Sequence, residues 1–298
     1  MPKDILPLYD ICGLVESSPS PGDFIADRLD HYLETHKNLY FPHKHSFYHL
    51  VFFTSGTGRH SIDFVNFHVQ PGQIYYMVPG QVHDWDFEPG INGYIINFSV
   101  NYISQFLNDP RYVEQFRFFS GIVQDQVLAI SFEGQNRLIQ LFELIINEVS
   151  VAGEFSNDMI RSALVQLFII TSRNGGGQIS RKVSGNNLIV LRNFQKLIDL
   201  HYKNKKLTKE YAAMLYITPN HLNALSKDVM GRPAGELIRD RVILEAKRLL
   251  INAGITISEI SNALDFTDNS YFTKFFKKYT GITPEAFRKQ FGNKSLSI

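Results

Sequence analysis

Histidine is concentrated at one end of this chain. Eight of its ten histidines lie in the first 83 residues. Four of those have a pattern: His43-Lys44-His45, then His49, then His83 at the end of Pro79-Gly80-Gln81-Val82-His83. Grouped imidazoles suit Zn, Ni or Fe. They can equally hydrogen-bond inside a fold or line a pocket for an organic ligand. The other end of the chain holds a different chemistry. Thr256 to Gln290 reads as two helices about a tight corner, the second with Phe272, Phe275, Phe276 and Tyr279 on one side and Asn269, Ser270, Thr273, Lys274 and Lys277 elsewhere. A short capped helix, a corner, then a basic helix with amides at its start is what a helix-turn-helix reader of DNA requires.

Each set needs elements to position it. Residues 1–30 read as an irregular arm, and 31–99 read as β. His49 to Phe53 ends at Ser55-Gly56-Thr57-Gly58. His60 to Phe64, Asn66 to Val69, Ile74 to Val78 and Tyr94 to Phe98 follow, punctuated by Pro71-Gly72 and Pro79-Gly80. Short β-branched and aromatic runs at this spacing indicate a sandwich or small barrel, whose interior could hold one small ligand. The two histidine-bearing segments resemble the motifs of the cupin family. In metal-binding cupins a His-x-His pair, a Glu and a later His hold the ion. The resemblance therefore implies His43, His45, His49 and His83 as ligands of a possible divalent metal, with His49 at the Glu position. Residues 45–49 fully extended would span about 13 Å, too far for one ion, so Ser46-Phe47-Tyr48 must turn.

Residues 101–119 and 135–172 change to helical periodicity. Leu138, Leu141, Phe142, Ile145 and Ile146 form one apolar stripe, Ile160, Leu164, Leu167 and Phe168 another, and Gly153 to Ser156 the corner of an αα-hairpin. Such a hairpin can cover the barrel or pair with its twin in a second copy. The polar, glycine-rich stretch 173–187 reads as a linker, giving a first domain over 1–172 and a second over 188–298. Charge changes sign there. The net +1 divides into 20 basic against 10 acidic residues over 181–298, hence +10, and 10 against 19 over 1–180, hence −9. Halves of opposite sign suggest an acidic module tethered to one that meets a polyanion.

The second domain contains its design twice. In the second copy Thr256 and Glu259 have capping-box spacing, Ile257, Ile260, Ala263 and Leu264 make a stripe, and Thr267 or Asp268 can cap the next helix. A shift of 50 residues places Leu207 on Ile257, Ala213 on Ala263, Leu222 on Phe272, Lys227 on Lys277 and Gly231 on Gly281, an internal repeat. Thr218-Pro219 opens the first copy's second helix. Pro233 to Leu250 is about 27 Å of helix, with Leu237, Val242, Ala246 and Leu249 facing inward. DNA presents successive major-groove segments about 34 Å apart on one face, so two readers on such a spacer could enter adjacent grooves.

The run DFTDNSYFTKFFKKYTGITPEAFR resembles the signature of the AraC/XylS family of bacterial transcription regulators, over about residues 188–290. The resemblance implies an α+β chain: an N-terminal cupin-like β-barrel with a helical hairpin, and a C-terminal all-α domain with two helix-turn-helix motifs. It implies base-facing positions at Asn220, His221 and Asn223 with Lys227 nearer the backbone, and at Asn269, Ser270, Thr273 and Lys274 with Lys277 and Lys278 on phosphates. Asn can bond adenine bidentately and Lys suits phosphate. For Asn269 and Ser270 helix capping is an alternative role. Three departures stand out: Ala224 in place of a basic residue, Ser226 in place of a packing Phe, and Tyr216-Ile217 and Asp265 at corners where glycine is common.

Two functions follow as expectations. One is a ligand-responsive, sequence-specific transcription regulator, an activator by resemblance, working as a homodimer on promoter DNA, with a small-molecule effector and with RNA polymerase as a further partner. The other is a cupin-type metalloenzyme carrying a DNA-binding appendage. Apart from the histidines there is no catalytic constellation, no phosphate-binding glycine loop and no nucleophile elbow. Cys12 is the single cysteine, which excludes an intrachain disulfide. With no signal-peptide core and no apolar run long enough to span a bilayer, a cytoplasmic protein is expected.

Overall fold

The structure, a computed structural model, describes residues 7–14, 23–36, 39, 41–107, 109, 112–174, 185–252 and 254–291. It divides into two compact units, one within Leu6–Gly177 and one within Gln178–Ile298.

The first unit contains, in order, β1 (Leu8–Tyr9), the helical turn α1 (Ile11–Leu14), β2 (Phe24–Arg28), α2 (Leu29–Thr35), β3 (His43–His45), β4 (Tyr48–Ser55), β5 (Gly58–Ile62), β6 (Val65–Val69), β7 (Gln73–Met77), β8 (Val82–Phe87), β9 (Asn92–Phe98), α3 (Val100–Leu107), β10 (Val127–Ala129), α4 (Phe132–Val151) and α5 (Ser156–Asn174). The strands form two five-stranded sheets, ordered β1-β3-β8-β5-β6 and β10-β7-β4-β9-β2. All pairs are antiparallel except β1 with β3.

Strand β4 explains the layering. Its run Leu50 to Phe53 is apolar without alternation because both of its faces are buried. Val51 and Phe53 belong to one core, with Ile62, Tyr75, Met77, Trp85 and Ile95 from both sheets. Leu50 and Phe52 belong to another, with Ile74, Ile96, Leu138, Phe142, Leu164 and Phe168. The first core fills the barrel and the second seats the α4–α5 hairpin on the outer face of the second sheet. Phe52 stacks on Phe142 with ring centroids 5.8 Å apart. Burying each such side chain contributes about 1.5–3 kcal/mol. The inward stripes of the hairpin therefore cover the barrel.

Four local readings change. Leu29–Thr35, at the junction of the expected arm and the expected β region, is helix α2. Residues 24–28, expected in an irregular arm, form β2, paired from Phe24↔Phe98 to Arg28↔Tyr94. This strand is fixed by its neighbour β9, since its own sequence, FIADR, has no alternation. The helix expected over 101–119 ends at Leu107, and one-turn helices follow at Val113–Gln115, Arg117–Phe119 and Val123–Asp125 before β10. A continuous helix would have to accommodate Pro110, which lacks the N–H and clashes with the preceding turn. Strand β5 stops at Ile62, and Asp63 and Phe64, with φ of 47° and 69°, make the hairpin turn. The Asp63 carboxylate anchors that turn by accepting from Val82 N–H at 3.1 Å and Gln81 Nε2 at 2.8 Å.

The second unit is all helical: α6 (Gly185–His201), α7 (Thr208–Met214), α8 (Pro219–Met230), α9 (Ala234–Leu250), α10 (Ile257–Ala263), α11 (Asn269–Thr280) and α12 (Pro284–Phe291). Helix α5 runs on to Asn174 and α6 starts at Gly185, so helix occupies both ends of the stretch read as linker; its middle, 175–184, lies outside the described residues. On α9 the fully buried positions are Ala234, Ile238, Val242, Ala246 and Leu250. Leu237 and Leu249 are half-buried at the margin of that face.

Candidate functional sites

The histidines converge from both sheets. In β3 alternation turns His43 and His45 inward and leaves Lys44 half-buried. His43 lies directly across from His83 on β8. The chain bends at Ser46-Phe47 and passes to the opposite sheet, where β4 begins at Tyr48. That bend brings the His49 ring to 5.0 Å from His45, so the turn required by the sequence is present. The centroids of His43 and His45 lie 4.2 and 4.6 Å from that of His83. A fifth imidazole, His60 on β5, completes the group. Its Nε2 is 3.2 Å from His83 Nδ1, and its ring stacks on Tyr75.

Hydrogen bonds fix two of the rings. His43 Nδ1 donates to the Phe41 carbonyl at 2.6 Å, which leaves its Nε2 as a lone pair. His49 Nδ1 donates to Asn97 Oδ1 at 2.6 Å, and Asn97 Nδ2 in turn donates to the Tyr32 hydroxyl at 3.2 Å. Among the described residues, His43 Nε2, His49 Nε2, His60 Nδ1 and Trp85 Nε1 are buried with no hydrogen-bond partner. Burial pushes all five imidazoles below their usual range: His43 to about 4, His49 to about 3, and His45, His60 and His83 well below. All five are thus neutral at pH 7, the form in which imidazole binds a metal.

Of the four residues expected as ligands, His43, His45 and His83 each offer a donor atom, and these atoms lie within 4.8 Å of one another. His49 does not share that spacing. It is held on the opposite sheet by Asn97. Sequence reading missed His60 and Asn97 as members of the group. The excess of histidine in the first 83 residues was the available signal for His60; nothing marked Asn97, which meets His49 only through the β4–β9 register.

In the second unit the two readers are built by local capping. Thr256 and Glu259 form a reciprocal box: Glu259 N–H donates to Thr256 Oγ1 at 3.1 Å and Thr256 N–H to Glu259 Oε2 at 2.7 Å. Asp268, rather than Thr267, caps α11 by accepting from Tyr271 N–H at 2.7 Å. Thr218 caps α8 through His221 N–H, with Pro219 at the first position. Both second helices end at a left-handed glycine, Gly231 with φ 74° and Gly281 with φ 83°. Both corners place a non-glycine residue in the same region, Tyr216 with φ 56° and Asp265 with φ 53°.

The repeat is not a uniform shift of 50. Helices α8 and α11 keep that offset, but α7 and α10 are related by 49. Tyr211 and Ala212 are equivalent to Ile260 and Ser261, all fully buried, while Ala213 and Ala263 are both exposed. The second corner is one residue longer, with Phe266 and Thr267 between the left-handed residue and the cap where the first has only Ile217.

The expected DNA-facing residues lie on the outer sides of α8 and α11. Asn220, His221 and Lys227 are exposed and Asn223 half-buried; Asn269, Ser270, Lys274, Lys277 and Lys278 are exposed and Thr273 half-buried. The inner sides differ. In α11, Phe272 and Phe276 are completely buried and Phe276 packs against Phe287 of α12. In α8, Ser226 occupies the position of Phe276, completely buried, and its hydroxyl has no partner among the described residues. Two side-chain clamps join distant segments of this unit, the first of them linking the two copies. Lys206, just before α7, donates to the Asp265 carbonyl at 3.1 Å. Arg288 donates to the carbonyls of Leu250 at 3.0 Å and Ile255 at 2.6 Å.

Comparison with known proteins gives each unit a counterpart. Residues 31–169 match the family described as the AraC-like ligand binding domain, and residues 211–290 match a helix-turn-helix domain. The HTH-type transcriptional activator RhaR of Cronobacter sakazakii (strain ATCC BAA-894) is 22% identical over 291 residues, 93% of this chain and 94% of the relative. The uncharacterized transcriptional regulatory protein YesN of Bacillus subtilis (strain 168) is 32% identical over 174 residues, 57% of this chain but only 44% of the relative. The solved structure of unsaturated fatty acid bound ToxT from Vibrio cholerae strain SCE256 covers 92% of this chain and 96% of its own, at 12% identity and a TM-score of 0.43, too low to carry weight. An AraC-like ligand-binding unit followed by a two-reader helix-turn-helix unit places this chain in the AraC family of transcription regulators.

Proposed function

We propose that the protein is an effector-responsive transcription activator that binds promoter DNA as a homodimer in the cytoplasm. The observation that carries this reading is the pair of capped helices, α8 with exposed Asn220, His221 and Lys227 and α11 with exposed Asn269, Ser270, Lys274, Lys277 and Lys278. Helix α9 spans 17 residues, about 25 Å, a length compatible with readers in adjacent major-groove segments about 34 Å apart. The likeness to the activator RhaR supports the positive sign of regulation. Because the hairpin's inward stripes are used on the sheet, a dimer would draw on its outward residues Val151, Phe155 and Met159, which are 65%, 69% and 44% exposed. An effector would bind at the histidine cluster of the barrel, whose buried polar atoms lack partners among the described residues. Among the described residues no helix is long and apolar enough to cross a membrane.

The test is selection of a binding sequence from randomised duplex DNA by the full chain, followed by footprinting and a reporter carrying the selected site. Two protected major-groove segments about one helical turn apart for each protomer bound, with reporter output raised, are expected. A single protected segment refutes joint reading, lowered output refutes activation, and failure to enrich any sequence refutes the regulator reading itself.

A further inference from the structure

The spacing and unpaired atoms of the histidine cluster point beyond a generic effector. His45 Nε2 and His83 Nε2 are 3.4 Å apart, long for a nitrogen–nitrogen hydrogen bond. It is the edge of a tetrahedron whose centre lies about 2.05 Å from each nitrogen, the usual metal–imidazole distance for zinc. His43 adds a third donor within 4.8 Å of both, and its Nε2 is buried, bare and held in the metal-ready tautomer by the Phe41 carbonyl. A buried acceptor without a partner calls for an explanation, and an ion is one. The chemistry of the donors selects the ion. No carboxylate belongs to the group, and Asp84 beside it is engaged by Arg59 at 2.8 Å. Neutral imidazoles without oxygen donors disfavour Mg and Ca and suit late first-row divalent ions.

His60 has a distinct place. If it accepts through Nε2 from His83 Nδ1–H, then His83 Nε2 is left as a lone pair directed away from His60, as a ligand requires. That assignment matches the bonding of His43, whose Nδ1–H is likewise taken by an acceptor outside the group.

We propose that a late first-row divalent transition-metal ion is held by His43, His45 and His83, with His60 as the positioning residue for His83, and that occupancy of this site changes operator affinity. The last clause rests on the regulator reading above. The protein carries its own reporter. Trp85 is the single tryptophan, and its ring lies 5.2 Å from that of His83 and 5.9 Å from that of His43.

The full chain, stripped with a chelator and dialysed, is titrated separately with Co²⁺, Ni²⁺ and Zn²⁺. Trp85 emission should quench with Co²⁺ and Ni²⁺ to an endpoint of one ion per chain, and Co²⁺ should develop the visible absorption of imidazole coordination. His45→Ala and His83→Ala should weaken binding by about 100-fold or more, and His60→Leu by about 10–100-fold. His60→Gln, whose carbonyl can accept from His83 Nδ1–H, should recover most of that loss at an unchanged melting temperature. Less than about a tenth of an ion per folded chain with all three metals overturns the site. Equal binding by wild type and His45→Ala overturns the ligand set, and equal binding by His60→Gln and His60→Leu overturns the positioning role. Affinity for the selected operator is then measured with and without Zn²⁺. A change of about tenfold, or 1.4 kcal/mol, supports metal-dependent regulation, and an unchanged affinity removes that clause while leaving the site. If no operator binds in either state the regulator reading fails, and the titrations still decide the site.

Discussion

Ser226 is the residue at which the two readers differ most in physical terms, and replacing it should improve the protein. The side chain is completely buried within α8 and its hydroxyl has no hydrogen-bond partner among the described residues. An orphaned buried hydroxyl costs about 1–3 kcal/mol. Alanine removes that hydroxyl, leaves almost no void, and gains about 0.5 kcal/mol of helix propensity over serine. Ser226→Ala should therefore stabilise the first reader by about 2 kcal/mol. The single tryptophan is in the other unit, so fluorescence would not register the change. Amide hydrogen exchange in peptides covering α8 would register it, because exchange through opening slows about tenfold for each 1.4 kcal/mol. The expected slowing is about 30-fold. Ser258→Ala, at an exposed position of α10, serves as control and should show only the propensity gain. Unchanged or faster exchange at α8 in Ser226→Ala would mean that the hydroxyl is satisfied, and the asymmetry argued for the two readers would lose its basis.

Other outcomes follow from the same geometry. Asn269→Ala should lose about 1–3 kcal/mol of preference at one or two base pairs if the amide is bidentate, read by binding to a randomised operator library; an unchanged preference refutes base contact there. Lys278→Ala should weaken all sequences alike and lower the salt slope by about one unit, measured by titration at several salt concentrations. Asp268→Ala, which removes the bond from Tyr271 N–H, should cost about 1 kcal/mol of local stability at the start of α11, read as faster exchange there. Phe155→Asp at the hairpin corner should convert a dimer to monomer in sedimentation; a dimer that survives it lies on another surface.

Legibility in the sequence tracked how local the determining forces are. The second reader was readable because its caps, its aromatic stripe and its terminal glycine act within a few residues, and Thr256, Glu259, Phe272 and Gly281 do what their spacing implies. Strand β2 was not readable, since its conformation is imposed by β9, about seventy residues away in sequence. The histidine cluster was half legible. His43, His45 and His83 carry motif spacing, whereas His60 joins them only because β5 pairs with β8 so that His60 faces Trp85 and Ile62 faces His83. His49 was placed with the ligands by its four-residue distance from His45, but that distance does not show that the chain changes sheet between them. The offset of 49 between α7 and α10 was hidden because small and apolar residues match almost as well one position along.

That single extra residue in the second corner bears on how the tandem can be rebuilt. Two copies descended from one ancestral unit would differ here by one insertion or deletion, placed where a chain tolerates it, between a helix end and the next cap. A chimera that transplants one reader onto the other at a constant offset of 50 would rotate its first helix by about 100°. The position of Tyr211 would then receive Ser261 and that of Ala212 the exposed Asn262, and in the reverse exchange the position of Ile260 would receive Glu210, so polar and charged groups would enter the core. Cuts made within the corners, with each first helix moved at 49 and each second helix at 50, keep every buried residue on its own face. Operator specificity can be exchanged between the copies only by that second route.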